Sequence, residues 1–147
     1  MKEPIKLLLV DDEPDILEFL SYNFRKKGYL VSTAINGVEG INKAAKELPD
    51  LIISDILMPE MDGIEMCKEM RNNETLMHIP FIFLTALGDD NNLLFALSSG
   101  ADQFSSKPLQ FENLLFAYKP IRFEALNYMV NHLIEERANN FHNVTII

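Results

Sequence analysis

Leu51-Ile52-Ile53-Ser54-Asp55-Ile56-Leu57-Met58-Pro59 is the stretch whose reading decides the fold. Its first four residues form a nearly continuous apolar run, the pattern of a strand covered on both faces. An aspartate closing such a run projects its carboxylate at the mouth of a sheet rather than into a core. Other runs end in the same manner: Ile5 to Val10 in Asp11-Asp12-Glu13, and Phe81 to Leu84 in Thr85-Ala86. A shorter, more polar run, Ala101 to Ser105, leads to Lys107-Pro108. As neighbours in one parallel sheet these runs would bring three carboxylates, a hydroxyl and an ammonium to one edge. That set suits a divalent cation and a phosphoryl group.

Composition narrows the classes of function. The chain has 147 residues, enough for one domain with a real core, and at 48% hydrophobic and 24% charged it reads as an ordinary globular protein. Its net charge of −9 speaks against direct binding of duplex nucleic acid or an anionic membrane surface, since both need basic faces. Cys67 is the only cysteine, so no intrachain disulfide can form and a reducing cytoplasm is the expected location. The apolar run after Met1-Lys2-Glu3-Pro4 is too short for a signal peptide, and no stretch approaches the ~20 apolar residues of a membrane span.

Strand-length apolar runs alternate with segments of helical period, which predicts an α/β fold with helices on both faces of a parallel sheet. Strands are expected near Ile5–Val10, Leu30–Ala34, Leu51–Ser54, Phe81–Leu84 and Ala101–Ser105. The first helix should begin at Pro14 and stop before Gly28, with its apolar stripe on Ile16, Leu17, Leu20 and Phe24. A second is expected from Val38 to Glu47, a third after Asp62-Gly63 with Ile64, Cys67 and Met70 inward, and a fourth from Asp90 to Ser99.

The C-terminal third departs from this regularity. Asn92-Leu93-Leu94-Phe95-Ala96 returns as Asn113-Leu114-Leu115-Phe116-Ala117, and Lys107-Pro108-Leu109-Gln110-Phe111-Glu112 returns in altered form as Lys119-Pro120-Ile121-Arg122-Phe123-Glu124. Pro120 should interrupt a helix begun after Pro108, so a short fifth helix is expected over Gln110–Tyr118 and a sixth over Phe123–Arg137. The sixth has its stripe at Phe123, Leu126, Val130, Leu133 and Ile134. The expected organisation is a unit over 1–118, a helical extension over 119–138 and a tail over 139–147.

Each polar residue has an ordinary reading beside the chemical one. Asp11 and Asp12 can cap the first helix, and Asp55 can open the turn before Pro59. Thr85 after a strand and a surface Lys-Pro are common turn chemistry. Their joint occurrence at strand ends favours a site. Mg²⁺ takes oxygen ligands, often one or two carboxylates plus phosphate, and open α/β sheets bind ligands beyond the carboxyl ends of their strands. A carboxylate can also attack phosphorus to form an aspartyl phosphate, whose added charge Lys107 and Thr85 can stabilise.

The order and spacing of Asp11-Asp12, Asp55, Met58-Pro59, Asp62-Gly63, Thr85-Ala86, Gly100-Ala101-Asp102 and Lys107-Pro108 closely resembles the CheY-like receiver domain of two-component response regulators, over about residues 5 to 118. The resemblance implies a flavodoxin-like (βα)₅ doubly wound sheet of order 2-1-3-4-5, here with an extra C-terminal helix. It implies that Asp55 accepts phosphate from a histidine kinase or histidine phosphotransfer protein. Asp11, Asp12 and Asp55, with the carbonyl of Leu57, would hold Mg²⁺. Thr85 and Lys107 would contact the phosphoryl group, and the Lys107-Pro108 bond would be cis. The family's switch pair would be Thr85 and Phe104, the alternative being a permanently buried Phe104. Lys119-Pro120 rivals Lys107-Pro108, because Leu114–Tyr118 can pass for a strand, but Lys107 keeps the family's spacing and Lys119 demands a twelve-residue insertion. Leu57 and Leu87, each two residues beyond a site residue, should restrict attacking water and slow the loss of phosphate.

The expected function is a single-domain response regulator that works through phosphorylation-controlled protein–protein interaction with a downstream protein, without a DNA-binding output domain and without conventional turnover. A haloacid-dehalogenase-like phosphatase also uses a strand-end Asp, but expects a second acid where this chain has Leu57. The stripe of the last helix suits either a cover over the output face or a homodimer contact. His78, His132 and His142 lack metal-ligand spacing, and no Gly-rich nucleotide loop is present.

Overall fold

The computed structural model describes residues 3–86 and 114–146. Their elements run β1 (Lys6–Val10), α1 (Pro14–Lys26), β2 (Leu30–Ala34), α2 (Gly37–Glu47), β3 (Leu51–Asp55), α3 (Gly63–Arg71), β4 (Phe81–Ala86), β5 (Leu114–Lys119) and α4 (Phe123–Ile146). The strands form one parallel sheet of order β2-β1-β3-β4-β5.

Alternation along each strand explains the two layers of core. Leu8, Val10, Ile52, Phe81 and Phe83 face α2 and α3, where they meet Ala44, Met66, Cys67 and Met70. Leu7, Leu9, Leu51, Ile53, Ile82 and Leu84 face the other way, onto Leu20 and Phe24 of α1 and Phe123, Leu126 and Val130 of α4. The C-terminal helix is therefore part of this second core layer, and its backbone continues through the stretch expected as a tail.

Local chemistry sets the helix ends. Pro14 opens α1, and Gly28, at φ 97, closes it: Gly28 N–H donates to the Arg25 carbonyl at 3.0 Å and Tyr29 N–H to that of Phe24 at 3.2 Å. The accompanying apolar contact is the edge-to-face pair of Phe24 and Tyr29, with ring centroids 5.6 Å apart. Asp62 and Glu65 form a reciprocal capping box at the start of α3.

The fifth strand is the correction to the sequence reading. The strand beside β4 is Leu114–Lys119, not Ala101–Ser105, and residues 114–118, expected to end a helix, are extended. Leu114 is buried, Leu115 and Ala117 pack on the α1/α4 side, and Phe116 stacks on Phe83 at 5.6 Å. A strand there needs apolar side chains on both faces. Leu-Leu-Phe-Ala supplies them, whereas Ala101-Asp102-Gln103-Phe104-Ser105 offers one large apolar residue. The helices expected over Asp90–Ser99 and the start of Gln110–Tyr118 lie outside the described residues. Among the described residues, no helix is long and apolar enough to cross a membrane.

Candidate functional site

Parallel register brings the ends of β1, β3, β4 and β5 to one edge. One carboxylate oxygen from each of Asp11, Asp12 and Asp55 lies within 4.8 Å of the others. Asp11 and Asp55 are buried, whereas Asp12 is exposed. Asp11 Oδ1 accepts from the Glu13 N–H at 2.9 Å, while its Oδ2 is buried with no hydrogen-bond partner. Three clustered carboxylates, one of them with an orphaned buried oxygen, make a donor set that fits a hard divalent cation.

Asp55 Oδ1 accepts from the Ile56 N–H at 2.9 Å and from Lys119 Nζ at 3.1 Å. Both of these donors meet the same oxygen, Oδ1. Thr85, 2% exposed, is the last residue but one of β4, with its hydroxyl directed to the Ala86 carbonyl at 3.3 Å. Asp12, Asp55, Leu57, Thr85 and Lys119 all border one cavity of about 430 Å³.

Burial drives the electrostatics here. It pushes Asp11 from its ordinary 3.8 up to about 6, opposed by the Glu13 N–H and reinforced by the charge of Asp55. Burial also raises Asp55, against the lowering effect of Lys119. For Lys119, burial acts downward, but the hydrogen bond and charge of Asp55 outweigh it and the ammonium is held more firmly than usual. Cys67 stands apart from this chemistry: burial pushes its thiol up to about 12, so it is an inert core residue.

The structure thus gathers Asp11, Asp12, Asp55 and Thr85, with Leu57 on the cavity rim and 71% exposed. Among the described residues, the ammonium at Asp55 is that of Lys119, and the cis bond is Lys119-Pro120. Lys107, Phe104 and Leu87 lie outside the described residues. The signal that could have pointed to Lys119 was the apolar character of Leu114–Tyr118, set against the family spacing that favoured Lys107. The aromatic three residues before this lysine is Phe116, the counterpart by offset of Phe104 before Lys107.

Such a fold with such an edge defines a phosphoryl-type receiver module. The response regulator receiver domain matches residues 7–119, and the chain belongs to that family. It is 42% identical over 103 residues to the alkaline phosphatase synthesis transcriptional regulatory protein PhoP of Bacillus subtilis, covering 70% of this chain and 42% of that one. It therefore spans less than half of that relative's length. A response regulator structure from Chloroflexus aurantiacus superposes with TM-score 0.75 at 32% identity, covering 90% of this chain and 99% of that one. The chemotaxis response regulator CheY4 of Vibrio cholerae gives 0.73 at 29% identity, covering 89% and 99%. Receivers of this family take phosphoryl groups from histidine kinases and generally bind Mg²⁺ at an acidic pocket.

Proposed function

We propose that Asp55 is the phosphoryl acceptor of a Mg²⁺-dependent response regulator receiver, charged by a histidine kinase or a histidine phosphotransfer protein. The observation that carries this reading is the contact of Lys119 Nζ with Asp55 Oδ1 inside the Asp11–Asp12–Asp55 cluster. With Oδ1 engaged by Lys119 and Ile56, Oδ2 attacks phosphorus. The bond from phosphorus to the donor's imidazole nitrogen breaks, the imidazole leaves with the electron pair and takes up a proton, and an acyl phosphate remains on Asp55. Lys119 then faces a phosphoryl oxygen, and the Thr85 hydroxyl, released from the Ala86 carbonyl, donates to another. Asp11, Asp12 and Asp55, with the Leu57 carbonyl as the family resemblance implies, would hold Mg²⁺, which when bound neutralises charge on the transferring group.

The chain is not a turnover phosphatase on this reading. Residue 57 is Leu, so no acid stands two residues after the acceptor to work as a general acid/base. Output follows from altered protein contacts once Thr85 changes partner. Incubation with acetyl phosphate, or with a beryllofluoride analogue, plus Mg²⁺ tests the assignment. With acetyl phosphate, wild type should gain one hydroxylamine-labile phosphoryl group by mass spectrometry and Asp55→Asn none. Equal labelling of the two proteins would remove Asp55 from its role.

A further inference from the structure

The loop joining β3 to α3 is held at both ends, and one end is gripped by the turn that precedes α2. Glu60 in this loop has φ 68, a left-handed conformation that costs a residue with a β-carbon about 1–2 kcal/mol. The Met61 N–H closes a tight turn over it by donating to the Pro59 carbonyl at 2.8 Å. On the acceptor side, Gly63 N–H donates to the Ile56 carbonyl at 2.9 Å. A β-carbon on Gly63 would come within 2.2 Å of the Asp55 carbonyl oxygen.

The far side of the loop meets Asn36 and Gly37. Gly37 N–H donates to the Met61 carbonyl at 3.1 Å, and Asn36 Nδ2 reaches Glu60 Oε2 at 3.4 Å. The orientation of the Asn36 amide is set independently, because its Oδ1 accepts from the Glu39 N–H at 2.9 Å in capping α2, which turns Nδ2 toward Glu60. Gly37 allows the close approach through its lack of a side chain: a β-carbon there would sit 2.7 Å from Met61 Cγ and 2.8 Å from the Met61 carbonyl oxygen. A strained turn persists only where its surroundings over-determine it. Here the surroundings are these two residues.

We propose that Asn36 and Gly37 are positioning residues for the phosphoryl site: they brace residues 56–62 in the strained conformation that sets Leu57 against Asp55. The brace therefore governs divalent-cation affinity and acceptance of phosphate. This inference rests on the phosphoryl-acceptor reading for its second consequence, though not for its first. It assigns the α2 cap residue a partner in the acceptor loop as well as in its own helix.

Gly37→Ala separates the brace from a purely structural role. Gly37 opens α2 and its φ is not positive, so alanine suits the helix itself and its clash is confined to Met61. As a brace, the same substitution pushes Met61 away and weakens Mg²⁺ binding, read by calorimetric titration, about tenfold. A second arm uses charge. Asn36→Asp keeps the cap oxygen but sets a carboxylate against Glu60, and should lower Mg²⁺ affinity and the initial rate of labelling by acetyl phosphate with little change in Tm. Adding Glu60→Gln restores a hydrogen bond with donor and acceptor exchanged, and should recover both. Unchanged Mg²⁺ affinity in Gly37→Ala and Asn36→Asp, or no recovery in the double variant, overturns the brace. Failure of wild type to accept phosphate, with the Mg²⁺ differences intact, would overturn the acceptor reading and leave the brace standing.

Discussion

Replacing Lys119 by alanine removes the cation that pairs with Asp55. Nζ lies 3.1 Å from Asp55 Oδ1, and the Lys119 side chain is 27% exposed against 8% for Asp55. At that separation, with an effective dielectric constant near 20, the gross attraction is ~5 kcal/mol. Water entering the space left by a partly exposed side chain recovers part of it, and loss of one preorganised charge from a reacting centre costs about 3–4 kcal/mol. Lys119→Ala should therefore slow labelling by acetyl phosphate about 10²- to 10³-fold. Asp55 is already raised by burial and restrained by Lys119, so its carboxyl should move higher still and the pH profile of acceptance should shift upward. The matched control is Lys107→Ala, which should label at the wild-type rate. Rapid-quench or mass-spectrometric time courses with Mg²⁺ at several pH values measure both effects. Normal labelling of Lys119→Ala together with loss in Lys107→Ala would refute the reasoning, because another lysine would then be serving the site.

Three further outcomes are expected. Asp11 binds its proton more tightly folded than unfolded, so its stabilising contribution is complete below pH 3.8 and is lost as pH rises through about 6. Without metal, Asp11 alone should lower unfolding free energy by about 3 kcal/mol across that window, and millimolar Mg²⁺ should restore stability above it; urea midpoints that stay flat with pH and with Mg²⁺ would contradict this. Gly63→Ala forces a β-carbon to 2.2 Å from the Asp55 carbonyl oxygen and should cost about 2–3 kcal/mol by chemical denaturation, with a loss below 0.5 kcal/mol arguing that the loop yields freely. Phosphate should leave the wild-type protein over minutes or longer, and Leu57→Asn, which lets a polar group orient water at the cavity rim, should speed the decay of radiolabelled protein; identical decay would mean that Leu57 has no part in it.

Much of the site was legible because it depends on local rules. A run such as Leu51-Ile52-Ile53-Ser54 followed by Asp55 sets a strand and the place of its terminal carboxylate in one step, and Ile5–Val10 with Asp11-Asp12 does the same. Pro14, Gly28 and Asp62-Gly63 mark helix ends through backbone chemistry that needs no tertiary partner. The brace at Asn36 and Gly37 was not legible. Its signal is a short approach between two loops, visible only once a β-carbon is imagined between them.

The sequence by itself determined an α/β domain with an acidic edge, the strand-end carboxylate of Asp55 and the place of Thr85. It also supplied two near-copies of a Phe-x-x-Lys-Pro segment, ending in Lys107-Pro108 and Lys119-Pro120, and family spacing favoured the first. Both copies satisfy the same short-range pattern, so local propensity is degenerate. The sheet broke that tie: an added strand must pair with β4 from Phe81 through Ala86 while covering both faces, and Leu114–Lys119 does so with Phe116 on Phe83 and Lys119 delivered to Asp55. That choice is a matter of register and burial across the fold, which is why tertiary structure decided which segment forms the fifth strand and brings its lysine to Asp55.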